Sequence, residues 1–375
     1  MTVYGTRPEA IKVAPLVKAL EASDVLDVVN VVTGQHREML DQVNDIFEIT
    51  PDHDLDVFEH GASLSTIVAR VLERLDPLLE SEQPAAVAVQ GDTSTSTAAA
   101  LAAFHRQIPV VHVEAGLRSG DIRSPFPEEA NRRITSQIAS LHLAPTPRSR
   151  DNLLREGVPA EAVFSTGNTV IDALLMSVQK ETPFTRPELT ELALSGRRVL
   201  LVTTHRRENW GGTMEGVGRA LARLAERFPD VELVLPAHRN PIVRESILPH
   251  LHDRPNVTVT EPLAYGEFTR LLALSSLVLT DSGGVQEEAP SLGKPVLVMR
   301  ENTERPEAVD AGTVRLIGTD ETTIVEEVSR LLTDREAYDV MARATNPYGD
   351  GHAAARSVQA IAGLLTGAER PAEFA

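Results

Sequence analysis

Carboxylates placed directly after short apolar runs are the first feature of this chain that could do chemistry. The run at residues 85–90 is followed by Gly91-Asp92-Thr93, and the run at 110–113 by Glu114-Ala115-Gly116-Leu117-Arg118. A buried strand that ends in a carboxylate presents it to whatever lies beyond the carboxyl end of the sheet. A third acid, Glu128, opens a helical stretch in Pro125-Phe126-Pro127-Glu128-Glu129-Ala130-Asn131-Arg132-Arg133, where Glu129 reads as an ordinary first-turn acid facing the helix dipole. Cations accompany these acids. Gly5-Thr6-Arg7-Pro8-Glu9-Ala10-Ile11-Lys12 sets Arg7 at a helix start and Lys12 one turn further on, an anion-binding arrangement in which side-chain charges join the free N–H groups. Acids and cations so mixed suit proton transfer beside a bound anion.

The second half of the chain supplies a phosphate cradle. The buried run at 277–280 leads into Asp281-Ser282-Gly283-Gly284 and then the helix Val285-Gln286-Glu287-Glu288-Ala289. The glycines let the backbone approach a diphosphate, the helix N–H groups meet its oxygens, and Glu288, one turn on, can accept both hydroxyls of a ribose. Arg305 is either a phosphate partner or a surface ion-pair residue. His205, in Thr203-Thr204-His205-Arg206-Arg207-Glu208-Asn209, ends the first strand of this half and can hydrogen-bond or protonate a leaving phosphate. His238 ends the next strand and has a weaker claim.

Other chemistries lose their signatures. No Gly-x-Gly-x-x-Gly follows a strand, and Gly293-Lys294-Pro295 lacks the rest of a P-loop, which argues against a bound nicotinamide and against ATP. His-Glu-x-x-His is absent, and with no cysteine there is no thiolate nucleophile, disulfide or Cys-based zinc site. No metal is expected.

The elements that must hold these residues follow from the apolar pattern. Runs at 28–33, 85–90, 110–113, 199–204, 231–235, 257–260, 277–280 and 296–299 are short, β-branched and in several cases almost continuously apolar, as strands covered on both faces are. Amphipathic stretches such as 7–20 and 63–79 alternate with them, giving a doubly wound α/β pattern. At 375 residues the chain exceeds a single core. The polar, Pro-containing stretch at 180–198 interrupts the alternation, so a boundary is expected between 167 and 198. Residues 1–167 form one domain and 168–349 the other, and the helical stretch at about 350–366 joins the first. The tail TGAERPAEFA has no pattern that would order it.

A formal charge of −18 argues against a nucleic-acid surface. No stretch approaches a membrane span, the start MTVYGTRPEA has no signal-peptide pattern, and the absence of cysteine suits a reducing compartment, so the cytoplasm is expected.

Longer strings carry a resemblance. GTRPEAIKVAPL from Gly5, TGQHREML from Thr33, QGDTSTS from Gln90, HVEAGLRSGD from His112, PFPEEANRR from Pro125, STGNTVIDAL from Ser165, THRREN from Thr204, DSGGVQEEAPSLGKPVLVMRENTERPEAV from Asp281 and GTVRLIGTD from Gly312 are very similar to the non-hydrolysing UDP-N-acetylglucosamine 2-epimerase family. The resemblance implies a GT-B-type fold: two Rossmann-like domains with the active site in an interdomain cleft, acting as a homodimer without an organic cofactor. It implies that Arg7, Lys12, Asp92, Glu114, Glu128 and His205 form the sugar and catalytic cluster. Leu263, Phe268, Ser282, Gly283, Gly284, Glu288 and Arg305 then correspond to the uridine and diphosphate site. Some bacterial members carry an adjacent second UDP-N-acetylglucosamine site. Gln35, His36 and Arg37 match part of it, but Glu59-His60-Gly61-Ala62-Ser63 offers no Arg, which argues against activation by substrate.

The implied reaction explains the residue types. C2–H of N-acetylglucosamine is not adjacent to a carbonyl, so it becomes acidic only as the C1–O bond to UDP opens, and acid/base groups are then needed on both faces of C2. The rivals are a GT-B glycosyltransferase using a UDP-sugar donor, a hydrolysing epimerase, an epimerase for a related UDP-acetamido sugar, and a nucleotide-sugar sensor without turnover.

Overall fold

Thirteen strands are found among the described residues of the computed structural model, which are all but 35–36, 60, 205, 207–211 and 371; the side chains of 37–39 are also not described. Every registered strand pair is parallel, and the strands fall into two sheets. The chain divides into two units, Met1–Met176 with Tyr348–Ala375, and Ser177–Pro347, with the division falling inside the helix Thr169–Gln179.

The first unit holds β1 (Thr2–Tyr4), β2 (Asn30–Val32), β3 (His53–Asp54), β4 (Val87–Gln90), β5 (Val110–Val113), β6 (Leu141–Ala144) and β7 (Val163–Ser165) in the order β3-β2-β1-β4-β5-β6-β7. All residues of β4, β5 and β6 are buried, so side chains on both faces meet helices. The strand order reverses between β1 and β4, and a crevice forms beyond their carboxyl ends at such a switch point. The second unit repeats the plan with β8 (Arg198–Thr203), β9 (Val231–Pro236), β10 (Val257–Thr260), β11 (Leu277–Thr280), β12 (Val296–Val298) and β13 (Val314–Leu316), ordered β10-β9-β8-β11-β12-β13, and its switch point lies between β8 and β11. Both units are thus Rossmann-like.

The helix Arg7–Glu21 starts where local sequence says it should. Thr6 is its N-cap, Glu9 completes a capping box, and Pro8 occupies the first turn, where its missing N–H costs nothing. Its buried face includes Leu16 and Leu20, which pack with Val358, Ala360 and Ile361 of the helix Ala353–Thr366 and with Val111, Val113, Leu141 and Leu143 of the sheet. The final helix therefore belongs to the first unit although it follows the second in sequence. In the second unit, Leu200, Val202, Leu233, Leu235, Leu277 and Leu279 form one core with Met214, Val217, Leu221 and Leu224 of the helix Gly212–Arg227. Each such side chain contributes roughly 1.5–3 kcal/mol by leaving water.

Strands β1, β3, β6, β7 and β13 are additional to the runs marked by apolar content. They are two to four residues long, and β3 is only His53–Asp54 at a sheet edge, too short for alternation to show. The tail is also more ordered than its composition suggests. Phe374 donates its N–H to Ser165 O (2.9 Å), Glu373 accepts from Ser165 N–H (3.4 Å) and pairs with Arg150 (3.3 Å), and the Arg356 guanidinium lies 5.6 Å from the centre of the Phe374 ring. No described helix is long and apolar enough to cross a membrane.

Candidate active site

Residues beyond β1, β4 and β5 converge at the first switch point. Glu114 follows β5 with φ of 62°, a left-handed conformation unusual for a residue with a side chain. Held strain of this kind costs about 1–3 kcal/mol and persists where the surroundings over-determine it. The surroundings here do so. Lys12 Nζ donates to Glu114 Oε1, Asn168 Nδ2 donates to the same oxygen at 3.0 Å, and Gln90 Nε2 donates to Oε2. Glu114 is buried, and so are Gln90 and Asn168. The turn that follows is fixed by Gly116, at φ of 91°, where a Cβ would lie 2.2 Å from Ser149 O.

Asp92 stands two residues beyond β4. Arg132 holds its Oδ2 with Nε at 2.8 Å and the second terminal nitrogen at 2.6 Å, while Asn131 Nδ2 donates to Asp92 O at 2.9 Å. Both donors come from the helix Glu128–Ile138, which is thereby tied to the β4 tip. Glu128 opens that helix, and its Oε2 is buried with no hydrogen-bond partner among the described residues. Glu129 differs from the plain first-turn acid its position suggests. It is fully buried and accepts from Ser119 N–H (3.0 Å), Arg132 (3.2 Å) and Arg133 (3.2 Å). Burial pushes its carboxyl up, but these donors together hold it below the ordinary range. Glu129 thus fixes the guanidinium that fixes Asp92.

Beneath Arg7 and Lys12, the buried Glu9 locks the helix start. Its Oε2 accepts from Gly5 N–H (3.0 Å) and Thr6 N–H (2.7 Å), and its Oε1 from the Thr93 hydroxyl (2.6 Å), linking the β1 and β4 tips. Desolvation raises its carboxyl above the usual range against those hydrogen bonds. Arg7, in the first turn, is exposed. Behind the site, His112 and His142 are buried side by side on β5 and β6 with ring centres 6.5 Å apart. Burial lowers them to about 4 and about 3, so both rings are neutral.

In the second unit, Ser282, Gly283 and Gly284 form the turn from β11 into the short helix Gly283–Glu288. Arg305 is drawn against this turn by Glu287 (2.8 Å), and a Cβ on Gly283 would lie 3.0 Å from the Arg305 Cζ. Arg305 is therefore both an ion-pair residue and a neighbour of the Gly-Gly turn. Glu288 is buried and accepts from the Tyr265 hydroxyl at 3.1 Å. Burial first, then the Glu288 charge, pushes that phenol well above its ordinary value. Asp281 is fully buried and accepts from the Thr204 hydroxyl (3.1 Å) and Arg206 N–H (3.0 Å), bracing the β8 and β11 tips. Leu263 and Phe268 are half-buried around the start of the helix Tyr265–Leu274. His238 Nδ1 accepts from Asn240 N–H at 3.2 Å, a local turn contact.

The sequence-marked residues Lys12 and Glu114 are brought together, as are Arg305 and Gly283, while Asp92 is tied through Arg132 and Asn131 to the helix that Glu128 opens. His205, Gln35 and His36 lie outside the described residues, as does the side chain of Arg37. Gln90, Asn168, Arg132, Tyr265 and Asp281 were not marked by their spacing, although all but Tyr265 stand within the motif strings quoted above. Among the described residues, no group of three or more His, Asp or Glu side chains is placed to hold a metal ion.

The family model described as UDP-N-acetylglucosamine 2-epimerase matches residues 18–362 of the chain. The UDP-N-acetylglucosamine 2-epimerase of Escherichia coli K12 is 52% identical over 367 residues, covering 96% of this chain and 97% of that protein. A crystal structure of the enzyme from Neisseria meningitidis, bound to UDP-GlcNAc, superposes with a TM-score of 0.83 at 45% identity and covers 96% of this chain and 98% of its own. A glycosyltransferase from Streptomyces nogalater, at 19% identity and a TM-score of 0.64 over 97% of this chain and 98% of its own, shares the GT-B-type fold alone.

Proposed function

The chain belongs to the UDP-N-acetylglucosamine 2-epimerase family, and from that premise we propose that this isomerase interconverts UDP-N-acetylglucosamine and UDP-N-acetylmannosamine by anti elimination of UDP and syn re-addition. As the C1–O bond breaks, its electron pair leaves with the UDP diphosphate. A carboxylate takes the C2 proton, and the C2–H electrons become the C1=C2 double bond of 2-acetamidoglucal. Re-addition returns UDP oxygen to C1 while C2 receives a proton on the opposite face.

The observation that carries this reading is the set of acids beyond β4 and β5, where Glu114 is charge-paired to Lys12, Asp92 is held by Arg132, and Glu128 has a buried oxygen with no hydrogen-bond partner among the described residues. A buried carboxylate oxygen is suited to accept or deliver the C2 proton, so Glu128 and Asp92 share the proton transfers and Glu114 stabilises positive charge at C1. Arg7, and His205 in the second unit, assist the diphosphate. The Ser282-Gly283-Gly284 turn and Arg305 bind the phosphates, Glu288 accepts the ribose hydroxyls, and Leu263 and Phe268 flank the uracil. A homodimer in the cytoplasm fits the family resemblance and the lack of cysteine; light scattering on the purified protein tests the dimer.

The decisive experiment incubates the enzyme with UDP-N-acetylglucosamine alone in deuterated water. Proton NMR should show UDP-N-acetylmannosamine carrying deuterium at C2. Turnover without deuterium at C2 rules out the proposed chemistry, and sugar transfer only on adding an acceptor indicates a glycosyltransferase. A panel of related UDP-acetamido sugars fixes the substrate.

A further inference from the structure

The string STGNTVIDAL reaches the active site through one side chain. Asn168 precedes the helix Thr169–Gln179, and its Oδ1 accepts from Val170 N–H at 3.1 Å. That contact decides which way the amide faces, because a helix-start N–H needs an acceptor and the amide NH2 cannot be one. With the oxygen committed to the helix, Nδ2 is turned onto Glu114 Oε1. The backbone is fixed as well: Asn168 N–H donates to Tyr348 O at 2.6 Å, and Gly349 beside it packs on Ile171. On the other oxygen of Glu114, Gln90 at the end of β4 donates through Nε2. Lys12 from the helix Arg7–Glu21 adds a cation, and His112 on β5, the nearby titratable ring, is neutral.

We propose that Asn168 and Gln90 are positioning residues that clamp Glu114 as an anion, so that it serves as a fixed negative charge and not as the donor that protonates C2. Three donors from three elements reach this carboxylate, two of them on Oε1, and each hydrogen bond to the charged form favours that form over the protonated one. The left-handed backbone of Glu114 is explained at the same time, since the strain aims the carboxylate between donors set by β4, the first helix and the 168–170 turn. This inference rests on the epimerase reading of the site and divides the labour within it.

Two variants that keep the helix cap separate positioning from folding. Asn168→Ser retains an oxygen for Val170 N–H but is too short to reach Glu114. Asn168→Asp also caps the helix but sets a second carboxylate against Glu114. Loss of one hydrogen bond to a charged group is expected to lower kcat about tenfold in Asn168→Ser, with KM changed less than threefold. In Asn168→Asp, and equally in Gln90→Glu, the acidic limb of the kcat–pH profile should move up by about one pH unit, because like charge favours the protonated carboxyl. Thermal melting and UDP affinity are measured alongside, and both should stay near those of the unaltered enzyme for Asn168→Ser. A normal profile and normal kcat in all three variants overturns the clamp. Failure of the unaltered enzyme to epimerise overturns the functional reading instead, so the two failures are distinct.

Discussion

Acidification should loosen the first unit well before its arginine-paired carboxylates titrate, because two neutral histidines lie in its core. His112 is 0% and His142 1% exposed, and burial is the main cause that holds them near 4 and 3. In the unfolded chain both return to an ordinary value of about 6.5. Since the folded value is depressed for a base, the unfolded state binds more protons below about pH 6.5, and stability falls as the pH drops from there towards the folded value. At pH 5.5 an unfolded histidine gains about tenfold in statistical weight from protonation while the buried one gains almost nothing, or roughly 1.4 kcal/mol each. The pair together is expected to raise opening about a hundredfold between pH 7.5 and 5.5. Carboxylates held low by arginine, such as Glu156 by Arg118 and Asp350 by Arg356, lose their contribution only at lower pH. The buried Glu9 and Asp172, which burial raises, change opening in the opposite sense but equally in any variant that leaves them alone.

The assay is amide hydrogen exchange by mass spectrometry on peptides spanning β5 and β6, corrected for the intrinsic pH dependence of exchange. His112→Gln is the control. The glutamine keeps an N–H for Gly91 O, which His112 Nε2 now contacts at 2.7 Å, and removes one titrating ring. Protection in the variant should fall only about tenfold over the same interval. Equal losses in the two proteins would refute the assignment of neutral buried rings.

Asp92→Asn keeps the shape at the β4 tip but removes the charge that Arg132 balances, and epimerisation should drop by about 10²–10⁴ in kcat; near-normal turnover removes Asp92 from the catalytic set. Gly116→Ala places a Cβ 2.2 Å from Ser149 O at a positive φ, so a loss of about 3 kcal/mol or more is expected, read as a large fall in melting temperature of the first unit. Glu288→Gln leaves Tyr265 a partner but weakens the ribose acceptor, and calorimetry with UDP should show about tenfold weaker binding with little change in melting temperature.

The sequence alone determined what is local. A strand tip is announced by the residue that ends an apolar run, so Asp92, Glu114 and the Ser282-Gly283-Gly284 turn are all legible, as is the Thr6 and Glu9 capping box, because each depends on neighbours within a few positions. The doubly wound pattern is legible for the same reason, since strands buried on both faces leave unbroken apolar runs. What only the tertiary structure decided is which tips meet. Strand order sets β4 between β1 and β5, and this brings Gln90 onto Glu114 and Thr93 onto Glu9. Asn168 stands 54 positions from Glu114, and nothing in either local pattern predicts their contact. Glu129 reads as an ordinary first-turn acid because its helix position is favourable for one, yet the packing of the Glu128–Ile138 helix buries it among arginines. The tail looked unordered because its composition offers no periodicity, while Ser165 at the sheet edge offers backbone groups that any extended segment can satisfy. Local patterning fixes where a side chain starts, and the register of distant elements fixes what it touches.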